Sequence, residues 1–313
     1  MTNESPTPDL PDPSARSRLA ALIRAAALGL AFTATLISLA LPIGVAYLAY
    51  QRWILGHSLQ EASLHLEDAM LLLQGAGSLL ALAGAVAWVT LFLRRVDRQG
   101  DLRTVGLAPR VRGWRWFGAA FAGGMLLAAI PIGLALAFGQ LSFGTSHASL
   151  EGVGDVIGDA LGSVVMIASL ILAEELVFRG YMPWTLRRSG WTEELAALFP
   201  ALLFAIYRTV LAPSSSASFL NAFAAGVLLG LLTQRTRSLH VTMGARLGWA
   251  LVLGTVFSLP VGGAPVEGIL HSLPVPGLAM DNAYGPEGSW LITALLAIGI
   301  ALAQWVTMPR RRR

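Results

Sequence analysis

The 313-residue sequence contains no cysteine, which excludes disulfides and thiolate-based metal sites. It also contains no lysine: all 22 basic residues are arginine. That bias fits a GC-rich, bacterial genome and carries no mechanism of its own. Charge of either sign is scarce, at 13% of residues, where a soluble domain has roughly 25%. Most of the chain therefore cannot face water. The five histidines, at 57, 65, 147, 240 and 271, are scattered. With no cysteine and no histidine pair inside an apolar stretch, a zinc site in the membrane is not expected, and no cofactor is expected. His240 reads as a single interfacial polar residue.

What the sequence has is apolar length. Hydrophobic residues make up 55% of it, with a mean hydropathy of +0.64. Eight apolar stretches run near 25–49, 69–93, 115–138, 157–178, 195–212, 218–233, 239–259 and 289–308. A hydrocarbon layer of ~30 Å takes about 20 helical residues to cross. In lipid every backbone amide must be bonded internally, and no β-barrel alternation is visible. The expectation is an all-α, polytopic membrane helical bundle of about eight transmembrane helices. The Pro-, Asp- and Ser-rich residues 1–18 read as a disordered N-terminus without the order of a cleaved signal peptide. The expected organisation is N-terminal spans over 19–156, a core over 157–255, and an external loop with a final span over 256–313. The Pro- and Gly-rich loop 259–288 carries no chemistry legible in its sequence.

The arginines set the orientation. Nineteen of the 22 fall on one side: Arg16, Arg18 and Arg24 before the first span, seven between Arg94 and Arg115, then Arg179, Arg187, Arg188, Arg235, Arg237 and Arg310 to Arg313. The opposite loops carry mainly acids and histidines, among them Glu61, Glu67, Asp68, Glu151, Asp155, Glu267 and Glu287. The positive-inside rule puts both termini in the cytoplasm of a multi-pass cell-membrane protein. Trp114, Trp116, Trp184, Trp191, Trp290 and Trp305 fall near the expected interfaces. A net charge of +4 would suggest nucleic acid in a soluble protein; here topology explains it, and the expected partner is membrane lipid rather than nucleic acid. Arg52, just outside the first span, can snorkel.

Arg208 and Arg246 need another reason, because they lie inside the fifth and seventh spans. The fourth span ends in Glu174-Glu175-Leu176-Val177-Phe178-Arg179-Gly180. Each ionised side chain in a bilayer costs about 2.5–3.5 kcal/mol on insertion scales. Glu175 and Arg179 are i,i+4 neighbours and can pair. The cheapest arrangement brings Glu174, Glu175, Arg208 and Arg246 into one buried cluster with Arg179 beside it. Two plainer readings remain: an interfacial Glu–Arg pair with snorkelling side chains, and arginines that reach water or backbone carbonyls separately. Gly226-x-x-x-Gly230 and Gly244-x-x-x-Gly248 read as packing motifs that let helices approach closely.

These residues carry a resemblance. Glu174-Glu175-x-x-x-Arg179, in the form EELVFRG, resembles the first motif of the CPBP family, the CAAX prenyl-protease and bacteriocin-processing membrane proteins. Phe204-x-x-x-Arg208 falls where that family has Phe-x-x-x-His. Phe223 to His240 resembles the Gly-rich helix and turn that follow, and Arg246-Leu247-Gly248-Trp249-Ala250 falls where the family has His-x-x-x-Asn or Asp. The similarity covers about residues 157–255. It implies an eight-helix bundle with a cavity open to the cytoplasmic side, and intramembrane endopeptidase activity on a membrane-protein, prenylated or other peptide substrate. It assigns Glu174, Glu175, Arg179, Arg208 and Arg246 to the catalytic site, and Phe178, Phe204 and Ala250 to substrate binding.

The sequence departs from that pattern at three positions: both motif histidines are arginine, and the asparagine is Ala250. Histidine exchanges protons near neutral pH. Arginine does not, and it cannot ligate a metal. Guanidinium neighbours hold a carboxylate ionised and engaged, which makes it a poorer general base. A fixed guanidinium can, in turn, stabilise an oxyanion. Two functions stand side by side: an endopeptidase in which Glu175 or Glu174 activates water, and a degenerate pseudoprotease whose Glu/Arg cluster serves binding or scaffolding. A transporter would call for broken helices in two half-repeats, and none is visible.

Overall fold

The computed structural model describes residues 15–58, 70–98, 101–107, 111–144, 152–212, 214–281 and 283–307. Apolar runs become helices because a helix bonds its own backbone. Helix α1 spans Ala15–Trp53, α2 Met70–Leu91, α3 Val111–Ala137 and α4 Val153–Glu174. A short α5, Met182–Arg188, precedes α6 (Glu193–Leu211), α7 (Ser216–Thr236), α8 (Leu239–Leu251) and α9 (Trp290–Thr307). Among the described residues, seven helical segments are long and apolar enough to cross a membrane, and a shorter apolar helix covers Trp290–Gln304. Large side chains such as Leu30, Ile37, Leu126, Leu161 and Ile298 face outward in the open, as a lipid-facing surface requires. The molecule is a multi-pass helical membrane protein.

Residues 15–18 form the first turn of α1 rather than the end of a disordered leader, since Ala15, Arg16 and Arg18 favour helix. The rest of that expected segment, 1–14, lies outside the described residues. So do Glu61, His65, Glu67, Asp68, His147, Glu151 and Arg310 to Arg313. At 39 residues α1 is ~58 Å long and overruns the hydrocarbon layer. Arg52 belongs to its last turn.

The fourth span is continuous from Val153 to Arg188, with its middle wound as a π-helix over Glu175–Tyr181. Wider turns of this kind concentrate at functional sites. Two further π-turns close α2 (Phe92–Val96) and α8 (Val252–Val256). Asp97, just past α2, accepts a hydrogen bond from Tyr181 at 2.7 Å and pairs with Arg24 at 3.5 Å. That contact ties the Arg-rich ends of α1, α2 and the fourth span together.

Both GxxxG motifs are contact points. Gly244 and Gly248 lie against the carbonyls of Phe117 and Phe121 on α3, and Gly124 of α3 lies against the carbonyl of Ala245. A Cβ at any of the three would overlap backbone. Gly230 on α7 faces Ala197 of α6 more loosely, with 3.3 Å from an added Cβ to the alanine methyl, so that the neighbour would have to give by a few tenths of an ångström. Gly248→Ala is therefore expected to lower stability by about 1–3 kcal/mol, as overpacking does, and Gly230→Ala by clearly less. Melting curves of the two solubilised variants check this, and equal losses at both positions would contradict the close approach of α8 to α3.

The stretch expected to be a featureless external loop is structured. Leu141–Phe143 (β1) pairs antiparallel with Ser272–Pro274 (β2), with Ser142 opposite Leu273. Asn221 of α7 donates to the carbonyls of Glu287 and Ser289, 2.9 Å each, and accepts from Thr293 at 2.6 Å. These bonds fasten the loop to α7 and α9.

Candidate functional site

The acids and bases from three separate spans meet. Glu174 ends α4 and Glu175 opens the π-segment, which also presents Arg179. One face of α6 brings Phe204, Tyr207 and Arg208, and α8 brings Arg246. Glu174 accepts from Tyr207 at 3.0 Å and Arg208 at 3.1 Å on one oxygen, and from Arg246 at 2.5 Å on the other. Arg246 also donates to Glu175 Oε1 at 2.9 Å. Arg179 approaches the same oxygen at 3.3 Å as an ion pair.

The cluster is dry. Both glutamate side chains are fully buried and Arg179 is 1% exposed, while Arg208 and Arg246 retain 11% and 15%. Interleaved bonding makes such burial tolerable, because each Coulombic contact strengthens as the dielectric falls. The Phe204 ring lies among the three cations, with guanidinium carbons of Arg179, Arg246 and Arg208 at 4.0, 5.3 and 5.7 Å from its centroid. Behind it Phe178 meets Phe32 in a T-shaped contact and Tyr207 lies tilted against both rings, in a core that includes Leu176.

A cavity of about 320 Å³ adjoins the cluster. Arg179, Phe204, Arg208 and Arg246 line its inner end; the rest is mainly apolar, from α7 (Ala222, Leu228) and α9 (Leu295, Leu296). Neither glutamate lines it. Their carboxylates lie behind the guanidinium groups and the Phe204 ring.

Of the residues assigned from the sequence, the five charged ones share the cluster and Phe204 borders the cavity. Phe178 is in the aromatic core, and Ala250 packs with Met166, Ile167, Ile171 and Leu247. Those two do not reach the cavity. His240, 7% exposed, makes a hydrogen bond with Ser238 and an edge contact with Trp114, away from the cluster.

Two participants were not foreseen. Tyr207 adds a neutral donor to Glu174. Glu287, from the loop before α9, pairs with Arg208 at 3.7 Å and accepts from Trp249 at 3.0 Å and the Gly262 amide at 2.6 Å. Gly262 has φ +61°, and any side chain there would overlap the Arg208 guanidinium. Tyr284, in the same loop, is buried, and burial raises its phenol above the usual tyrosine value, so it stays neutral. Glu287 was discoverable from charge: three interior arginines against two glutamates call for a third acid.

The fold and this centre define a multi-pass helical membrane protein with charged residues converging between central spans. Residues 156–252, about a third of the chain, match the family described as Rce1-like, type II CAAX prenyl endopeptidase Rce1-like. The match includes the five charged residues that the three spans bring to the cluster, and Ala250, and stops short of Glu287. No curated protein and no solved structure matches the chain.

Proposed function

We propose that this chain is a non-hydrolytic relative of the type II CAAX prenyl endopeptidases, in which the Glu/Arg cluster scaffolds three spans and the adjoining cavity binds a ligand. It resides in the cell membrane, with both termini cytoplasmic and lipid as its surroundings. One observation carries this reading: the carboxylates that would activate water are closed off from the cavity. Glu174 has both oxygens engaged by Arg246, Arg208 and Tyr207. A general base must come within hydrogen-bond reach of the proton it removes, and a carboxylate held by two guanidinium groups offers little basicity.

A second reading keeps endopeptidase activity. Glu175 Oε2 is buried without a hydrogen-bond partner, so one carboxylate oxygen remains uncommitted. Water activated there would attack a peptide carbonyl, and Arg246 would hold the oxyanion. The substrate would be a prenylated or other membrane-associated peptide.

Purified protein incubated with a reporter peptide separates the two. The non-hydrolytic reading predicts no cleavage above background, and the same result for Glu175→Gln. Cleavage that Glu175→Gln abolishes would overturn it in favour of the second.

A further inference from the structure

The polar lining of the cavity is almost wholly committed to the protein itself. Asn221 is used on both its nitrogen and its oxygen by Glu287, Ser289 and Thr293. Ser218 is engaged in the capping box that starts α7. Both Glu287 oxygens are taken by Trp249 and Gly262. Arg179 is different: its two terminal nitrogens are buried and have no hydrogen-bond partner. Its nearest carboxylate, Glu175, is already bonded to Arg246.

The charge is unbalanced in the same place. The three spans contribute three guanidinium groups and two carboxylates. Glu287 comes from outside the spans and approaches Arg208 alone, at 3.7 Å. A buried donor left without an acceptor is costly, and more so for a charged group. Such a group in a native structure calls for an explanation.

A peptide lying in this cavity would need partners for each buried amide. Apart from the arginines, the lining side chains have few to give. A ligand with one anionic head and an otherwise apolar body matches both ends. The volume, about 320 Å³, lies at the lower end of the ~300–1,000 Å³ range of small-molecule sites, which suits one short chain and not a two-chain lipid.

We propose that the cavity binds a single-chain anionic amphiphile, with its head on the Arg179, Arg208 and Arg246 guanidinium groups and its chain against the leucines of α7 and α9. This rests on the non-hydrolytic reading of the same site. The head supplies the missing acceptor and the missing negative charge. Binding involves no covalent step.

The full-length protein in nanodiscs of uncharged lipid, measured by native mass spectrometry, tests this with four probes. Dodecanoate and dodecyl phosphate carry the two available kinds of anionic head, dodecanol is the neutral chain, and inorganic phosphate is a head without a chain. Retention of either dodecyl anion at least about tenfold tighter than dodecanol is expected, a difference of ~1.4 kcal/mol, with no retention of phosphate alone. Which anion is held more tightly identifies the head as carboxylate or phosphate. Arg179→Met should remove the preference of anion over alcohol. Because that variant could fail to fold, Ala225→Trp, which fills the cavity and leaves the charges intact, should abolish retention with an unchanged melting temperature. Equal retention of dodecanol and the anions would overturn the proposal, as would none at all, or retention of a farnesylated peptide with no dodecyl anion bound. Absence of both cleavage and anion binding removes this inference and leaves the non-hydrolytic reading standing; peptide cleavage lost in Glu175→Gln removes the latter whatever binds.

Discussion

Replacing Arg246 by methionine should cost about 3–5 kcal/mol of stability, the range for stripping one partner from a buried ion network. Arg246 is the only described residue that bonds both carboxylates, to Glu174 at 2.5 Å and Glu175 at 2.9 Å. Methionine keeps the apolar stem and leaves two adjacent acids in a dry interior with Arg208 and Arg179 alone to balance them. The damage should be partly reversed by Glu175→Gln in the same chain, because the second change removes the charge that the first one orphans. A double-mutant cycle on the solubilised protein, read by thermal or denaturant unfolding, gives the coupling. Losses that add within about 0.5 kcal/mol would mean the residues act independently, and the cluster would then not be what holds α8 to the fourth span.

On the non-hydrolytic reading, converting Arg208→His, Arg246→His and Ala250→Asn together should create peptide cleavage where the natural chain gives none. The argument is again one of access and proton exchange. Imidazoles at these positions can take and return protons near neutral pH, and shorter side chains would open the wall that separates Glu175 from the cavity. The replaced groups lie on α6 and on successive turns of α8. Ala250 packs tightly among Met166, Ile167 and Leu247, so the asparagine carries a packing cost, and folded protein has to be shown by a cooperative melt before the assay is read. Well-folded triple variant with no activity would mean that what prevents hydrolysis lies elsewhere, with the loop over Arg208 as the first place to look.

Much of the architecture was legible because the bilayer leaves few choices. Apolar runs of sufficient length could only be helices. Charges in three of them had one inexpensive place to go, so the meeting of Glu174, Glu175, Arg208 and Arg246 could be anticipated from cost alone. The GxxxG pairs signalled close packing for an equally local reason. Other features left no such trace. The π-turn over Glu175–Tyr181 is a property of how the helix packs, and the residues ELVFRGY carry no marker for it. The directions of Phe178 and Phe204 are fixed by the π-turn and by α6, which is why one reaches the cavity and the other is in the core. Glu287 looked like a solvated loop acid because its partners, Trp249, Gly262 and Arg208, are distant in sequence and belong to elements whose arrangement no periodicity encodes.

The distribution of charge over three spans bears on how the protein is built into its membrane. To the cluster the fourth span brings two acids and one base, whereas α6 and α8 each bring a lone cation. At about 2.5–3.5 kcal/mol per ionised residue, none of the three reaches its cheapest state by entering lipid separately. The compensation exists only when they lie side by side, and α8 is synthesised last. Biogenesis of this region is therefore a collective event: the earlier segments stay sheltered, by the insertion machinery or by one another, until the final cation arrives.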